Sequence, residues 1–291
     1  EIKLDDVNFH QEFYDMEVNL YEGIFALLKG NIKYLAQYPY GCSEQVTSKA
    51  VAYAVLPDEI LEKSPAKRED FLMRTNNILL QRQAENGGVS LYLGGPVGSD
   101  YLNLYVAHFL TMSKLNGYYY NKRLFERLMG YVSKISQESD NRSTAYALYL
   151  QSLNSIQVGA NAKLLEQKKS DDIYVDLYLA ATFKELKNEK KAERYIEKVK
   201  NARKKYKFDY RYGYFSSSFE RAYLGVLYKY FPDLANKEMP ELVEEMVATN
   251  KRYGQNSIWS GQTLLSLASL AKGKSMSIDV EVDLGKTQKK M

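Results

Sequence analysis

Five segments of this 291-residue chain repeat one composition. LNLYVAHFLTMSKL (102–115), RSTAYALYLQSLN (142–154), DIYVDLYLAATFKELK (172–187), FERAYLGVLYKYF (219–231) and SGQTLLSLASLAKG (260–273) all carry Leu and Ala, the first four with Tyr as well, and each has a small residue near the middle. They recur roughly every 30 to 45 residues, the period of a helical-hairpin repeat. Apolar residues on more than one face predict burial, and the small residues let neighbouring helices approach closely. The intervening segments are far more charged, as in EKKAERYIEKVKNARKKY (189–206). Alternating buried and exposed helices describe an inner ring and an outer ring. About six hairpins closed on themselves give an all-α fold, the α/α toroid; left open, they give a solenoid. Periodicity alone does not choose between the two.

The rest of the chain fits this scheme. Residues 19–36 place Leu20, Ile24, Leu27, Leu28, Ile32 and Leu35 on one helical stripe. Further helices are expected over 43–56, 67–82, 99–115, 121–136, 141–155, 160–168, 172–187, 189–206, 216–231, 239–252 and 257–272, with N-caps at Asp100, Asn121 and Asn141. The glycine-rich stretch AENGGVSLYLGGPVGS (84–99) lacks the Lys-Ser/Thr of a phosphate loop and reads as a structural loop. Residues 276–285 alternate apolar and polar and predict a short β segment, the start of a following β-domain or a tail over 274–291. Residues 1–14 are not helical in pattern and read as a linker or edge segment. They carry neither the basic nor the apolar part of a signal peptide, and no apolar run is long enough to cross a membrane. Net charge is +4, with lysines and glutamates interspersed. The densest basic cluster, Lys198, Lys200, Arg203, Lys204, Lys205 and Lys207, reads as a solvated helix face rather than a nucleic-acid footprint.

Chemistry concentrates in YPYGCSEQ (38–45), which holds the single cysteine, Cys42. A cysteine nucleophile wants a nearby histidine. The chain has two: His10 in the weak N-terminal segment and His108 among apolar neighbours, where it reads as a core residue. One cysteine and two scattered histidines also lack metal-ligand spacing, so neither metal nor cofactor is expected. Gln45 suggests other chemistry. Residues at i and i+3 share one side of a helical turn, and a thiol held against a carboxamide can displace ammonia and leave a thioester. Gly41 permits unusual backbone dihedrals beside the cysteine. Pro39 stiffens the approach, and a helix starting near Ser43 directs free N–H groups at the sulfur. On spacing alone, a buried cysteine beside an ordinary glutamine is the favoured reading.

The same residues carry a resemblance. YPYGCSEQ resembles the thioester motif of the alpha-2-macroglobulin and complement family, Gly-Cys-x-Glu-Gln, and its Tyr-Pro-Tyr lead is most similar to the bacterial alpha-2-macroglobulins. NGGVSLY (86–92) with SDYLNLYVAHFL resembles the glycine-rich loop and next helix of these domains. NSIWSGQTLLSLASLAKG (256–273) resembles their last helix. The resemblance spans residues 15–273 and implies an α/α-toroid thioester domain there. It implies a bond between Cys42 Sγ and Gln45 Cδ, shielding of that bond by Tyr38 and Tyr40, and a motif acid at Glu44 with either a structural or a chemical part.

For function, the resemblance implies a single-turnover covalent protease trap rather than an enzyme. Cleavage of a bait region elsewhere in a longer protein exposes the thioester, which acylates amines, chiefly lysines, of the attacking protease. It further implies neighbouring domains in the same chain, an extracytoplasmic location with a lipid anchor in the full-length protein, and a part in host defence or colonisation. No nucleic-acid partner and no membrane insertion by this segment are expected. Some complement members use a downstream histidine to redirect acyl transfer to hydroxyls; neither His10 nor His108 stands where that histidine would. The rivals are an α/α-toroid carbohydrate-active or cyclase-like enzyme, which needs paired carboxylates facing the cavity, and a binding module of the same fold without the bond.

Overall fold

The computed structural model describes residues 23–61, 63–168, 170–204, 219–271, 281–283 and 288–290. The chain divides into two compact units, Leu28–Lys274 and Glu1–Leu27 with Ser275–Met291. The expected linker 1–14 lies outside the described residues. In chain order the helices are α1 (Gly23–Gln37), α2 (Ser43–Val55), α3 (Asp58–Leu61), α4 (Pro65–Gln81), α5 (Asp100–Leu115), α6 (Lys122–Glu138), α7 (Asn141–Leu153), α8 (Gly159–Gln167), α9 (Ile173–Glu185), α10 (Glu189–Arg203), α11 (Phe219–Tyr230), α12 (Pro232–Tyr253) and α13 (Ser257–Ala271). In the smaller unit, β1 (Glu281–Asp283) pairs antiparallel with β2 (Gln288–Lys290), Val282 opposite Lys289. β1 falls within the expected strand over 276–285, whose flanks 276–280 and 284–285 lie outside the described residues. β2 has no signal in the sequence.

Six helices of the larger unit form a closed ring. α2 packs on α5, α5 on α7, α7 on α9, α9 on α11, α11 on α13, and α13 returns to α2. Behind them stand α4 against α2, α6 against α5 and α7, α8 against α7, α10 against α9, and α12 against α11. The closure from α13 to α2 selects the toroid over the solenoid. Burial follows the two compositions. Every residue from Ser143 to Leu153 in α7 and from Ile173 to Phe183 in α9 is buried. Outer α10 buries only Ala192, Tyr195, Ile196 and Val199, a single stripe at i, i+3, i+4 and i+7. Where α13 closes on α2 and α5, Gly261 leaves room for its neighbours. A Cβ there would lie 1.9 Å from Tyr105 Oη and 3.0 Å from Ser48 Oγ.

Several local expectations are corrected. Ser99, not Asp100, caps α5, its hydroxyl accepting from the Leu102 N–H; Asp140, not Asn141, caps α7. Asn121 caps α6 as expected. The helix expected over 239–252 begins seven residues earlier, at Pro232, and runs through Pro240. Pro232 occupies the first helical position, where its missing N–H costs nothing. Pro240 breaks one helical bond on the exposed side of an outer helix, where water can take the freed carbonyl. Arg203 is not part of a solvated face: its side chain is buried among Glu238, Glu241 and Glu245 of α12, at 3.6, 3.4 and 2.8 Å. Lys198 and Lys200 of the same cluster pair with Asp176 and Glu197. Lys205 and Lys207 lie outside the described residues.

Candidate functional site

α2 is fixed at both ends. At its C-terminus the buried Arg68 guanidinium donates to the carbonyls of Tyr53 and Leu56, the latter at 2.7 Å, and pairs with Asp58. Asn116 Nδ2 donates to the Ala54 carbonyl at 2.9 Å. These groups satisfy carbonyls that a helix end leaves without partners, and the cation suits the negative end of the helix dipole.

At the N-terminus stands Cys42, in extended backbone as the N-cap, with Gln45 at the third helical position. Their bonding is reciprocal. Gln45 Oε1 accepts from the Cys42 N–H at 3.0 Å, and the Cys42 sulfur accepts from the Gln45 N–H. This is the capping-box arrangement with sulfur in place of a hydroxyl. It holds the thiol and the carboxamide over the same helical turn. Hydrogen bonding to Oε1 also draws electrons from the carbonyl, which makes Cδ a better acceptor. The thiol is buried, at 5% exposure. Burial pushes its pKa up, and the Glu44 charge adds to that; the N–H groups of Gln45 and Glu44 and the Arg82 charge pull it down.

The turn before the helix is held from a distance. Arg82, which ends α4, donates through Nη2 to the Gly41 carbonyl at 2.9 Å and through Nη1 to Ser43 Oγ at 3.3 Å. The buried Ser43 gives its hydroxyl to the Ser90 carbonyl at 2.6 Å and its N–H to the Leu91 carbonyl at 2.9 Å. Ser90 N–H in turn donates to the Arg82 carbonyl at 2.9 Å. The stretch expected to be a structural loop is thus a wall of the site. It is pinned by buried Asn103 of α5, whose Oδ1 accepts from Val89 N–H at 2.6 Å and whose Nδ2 donates to the carbonyls of Gly98 and Ser99. Gly87, at φ +91°, supplies the backbone bend, with the Arg127 carbonyl 2.3 Å from where a Cβ would be. Leu91, Tyr92 and Leu93 remain exposed at its tip.

Glu44 points into the ring. Its carboxylate accepts from Ser48 Oγ at 2.6 Å and from Ser257 Oγ, at the start of α13, at 2.9 Å; Ser48 Oγ also lies 3.0 Å from Tyr105 Oη. Burial raises the pKa of Glu44, and the two hydroxyls partly offset that. Tyr38 and Tyr40 contact each other edge to face, with ring centroids 5.8 Å apart. Tyr38 is half-buried and leans on Tyr34, whose hydroxyl donates to the Gln255 carbonyl at 3.0 Å. Tyr40 is 66% exposed, and its carbonyl accepts from Lys49 Nζ at 3.1 Å.

Cys42, Gln45, Gly41 and Glu44 therefore meet at one helix start, with Tyr38 and Tyr40 leading into it. Sequence reasoning missed Arg82, Ser43, Ser90, Asn103 and Ser257. No local pattern marks them: Ser43 lies in the motif but acts through Arg82 and Ser90, and the others meet the turn, its wall or Glu44 through the fold. His108 is remote from this turn. It is half-buried beside Tyr146, Nδ1 to Oη 2.7 Å, with its pKa pushed down to about 3 by burial and by Lys229.

No family profile matches the chain. Among curated proteins, alpha-2-macroglobulin of Rickettsia conorii is 25% identical over 280 residues, covering 90% of this chain and 15% of the relative. The alpha-2-macroglobulin homolog of Yersinia pestis is 25% identical over 264 residues, covering 84% and 13%. Among solved structures, Salmonella alpha-2-macroglobulin reacted with methylamine superposes with a TM-score of 0.69 at 20% identity, over 86% of this chain and 18% of that one. Trypsin-activated alpha-2-macroglobulin from Escherichia coli gives a TM-score of 0.63 at 20% identity, over 80% and 17%. The chain thus spans about one seventh of the curated relatives' length. Over nearly its whole length the chain is thus similar to one part of bacterial alpha-2-macroglobulins, and it shares the fold of the corresponding part of these solved structures.

Proposed function

We propose that residues 15–273 are the thioester domain of a covalent protease trap, with the bond between Cys42 Sγ and Gln45 Cδ. The observation that carries this reading is the reciprocal bonding of Cys42 and Gln45 at the start of α2. Bond formation is balanced: sulfur adds to Cδ, the C–N bond breaks, and the carboxamide nitrogen leaves as ammonia with the thiol proton. In trapping, a lysine amine of the protease adds to Cδ, the C–S bond breaks, the sulfur departs with the electron pair, and the proton lost by the amine ends on the released sulfur as Cys42 becomes a thiol. The Cys42 N–H bonded to Oε1 stands where the tetrahedral oxyanion develops. Each molecule reacts once, so the domain is a reagent and not a catalyst. The thioester is unstable to hydrolysis and persists by exclusion of water; Cys42 burial and the Tyr38–Tyr40 pair serve that exclusion.

Methylamine reaction and trypsin activation of the similar structures support amine and protease partners. The remaining parts follow the same reading: neighbouring domains in a longer chain, a bait region outside this domain, an extracytoplasmic location and a lipid anchor. The enzyme alternative fares less well, because the cavity inside the ring is walled by Tyr146, Tyr149, Tyr178, His108 and Lys229, where paired acids are needed. Labelled methylamine tests the proposal. The full-length protein is expected to incorporate one equivalent and release one thiol, and Cys42→Ala is expected to incorporate none. Equal labelling of Cys42→Ala would remove the thioester from the account.

A further inference from the structure

The motif alone does not explain what keeps the turn that carries the thiol in place. Gly41 precedes Cys42 and is exposed, and a Cβ placed on it would touch only Val46, at 3.9 Å. Packing therefore does not fix the turn. Hydrogen bonds do, and those on either side of Cys42 converge on one side chain. Arg82 binds the residue before the cysteine through its carbonyl and the residue after it through its hydroxyl. Ser43 is the first residue of α2, so this grip also sets where the helix N–H groups point. The same arginine accepts the Ser90 N–H on its own carbonyl, and Ser90 accepts the Ser43 hydroxyl. The circuit Arg82–Ser43–Ser90 closes on itself.

We infer that Arg82 is the positioning residue of the thioester, a role that rests on the reading above. Its fork holds Gly41 and Ser43 so that Cys42 Sγ lies over Gln45 Cδ, and its charge favours the sulfur when it departs as thiolate. No reacting atom touches it. Planar, paired donors suit this task, because a guanidinium can hold two acceptors at once while an ammonium acts as a point charge. The charged groups that bear on the sulfur are Glu44 from α2, which opposes the thiolate, and Arg82 from the end of α4, which favours it. Lys49 is engaged by the Tyr40 carbonyl.

The experiment uses the full-length protein with Arg82→Gln and Arg82→Lys. Intact mass reports how much thioester forms. After methylamine has opened the bond, the pH midpoint of iodoacetamide alkylation reports the stability of the Cys42 thiolate. Arg82→Gln is expected to lower the fraction of molecules lacking one ammonia and to raise the alkylation midpoint by about half a unit to one unit. Methylamine then cleaves the bond that remains about threefold more slowly, because the sulfur is a poorer leaving group. Arg82→Lys separates charge from fork: it is expected to keep the wild-type midpoint while still forming less thioester. This contrast also removes misfolding as an explanation, since a merely structural loss does not shift the two readouts apart. Wild-type midpoint and wild-type thioester content in Arg82→Gln would overturn the inference, as would a raised midpoint in Arg82→Lys. Absence of the ammonia deficit from the wild-type protein is a different failure, that of the thioester itself.

Discussion

At the scale of single residues, the proposed site gives Gln45 two roles that substitution can separate, helix capping and acyl donation. Glutamate at the same position can still accept the Cys42 N–H, so a capping box survives in Gln45→Glu. A carboxylate has no amine to lose and resists attack by sulfur. Gln45→Glu is therefore expected to melt within about 0.5 kcal/mol of wild type, while intact mass shows no loss of ammonia and a thiol reagent finds Cys42 unblocked. Retention of the ammonia deficit in this variant would break the assignment of Gln45 as acyl donor. Glu44 yields a prediction about pH. Its folded pKa is raised, chiefly by burial, so the folded state holds the proton more tightly than the unfolded chain does. The stabilising effect of that proton is present below the unfolded pKa and is lost as pH rises through the folded value. Glu44→Gln keeps an acceptor for one of the two serine hydroxyls, offers an amide N–H to the other, and removes the titration. Denaturant melts between pH 4 and 7 are expected to show a downward component in wild type that the variant lacks. An identical pH dependence in both would refute the buried-carboxylate account.

At the scale of elements, the wall formed by residues 88–99 depends on Asn103, which makes three hydrogen bonds to that loop from a buried position on α5. Asn103→Ala leaves the Val89 N–H and the Gly98 carbonyl without their partner, while the Ser99 carbonyl keeps the backbone N–H of residue 103, and is expected to cost about 2–3 kcal/mol in chemical denaturation. It also frees Ser90 and Leu91 from Ser43, so spontaneous loss of the thioester should quicken in a time course of thiol release. Unchanged stability and unchanged lifetime would show that the loop is held by other means. Gly261→Ala tests the ring seam. Its methyl group would meet Tyr105 and Ser48, and the overpacking is expected to cost about 1–3 kcal/mol.

These two elements also mark how far the sequence could be read. The alternation of buried and charged helices was legible, because each ring imposes its own composition on the helices it contains. Cys42 and Gln45 were legible as a pair through the resemblance of YPYGCSEQ to a thioester motif, since their i and i+3 spacing alone favoured an ordinary buried cysteine. The supports were not. Arg82 reaches Gly41 across 41 positions through the packing of α4 on α2, and Ser257 reaches Glu44 across 213 through the closure of α13 on α2. The start of α12 was misplaced because Pro240 looks like a helix beginning, whereas the outer ring tolerates it inside.

At the scale of the whole molecule, a closed ring and an open solenoid differ in what truncation does. In a solenoid, removing the last repeat takes away one interface. In this ring, α13 contacts both α11 and α2, and its first residue holds Glu44 beside the thiol. Ending the chain after Asn256 is expected to abolish cooperative unfolding and expose Cys42 to thiol reagents. A truncated protein that keeps a sharp transition at slightly lower denaturant would speak for independent repeats instead. Ring closure thereby ties the global fold to the chemistry at one helix start.

The most direct test of the account is the intact mass of freshly purified full-length protein, before and after methylamine. A Cys42–Gln45 thioester predicts a mass one ammonia below that of the sequence, with no free thiol. Methylamine should then raise the mass by one methylamine as a single thiol appears. A mass equal to that of the sequence, with Cys42 free from the outset and no change on adding methylamine, would contradict it.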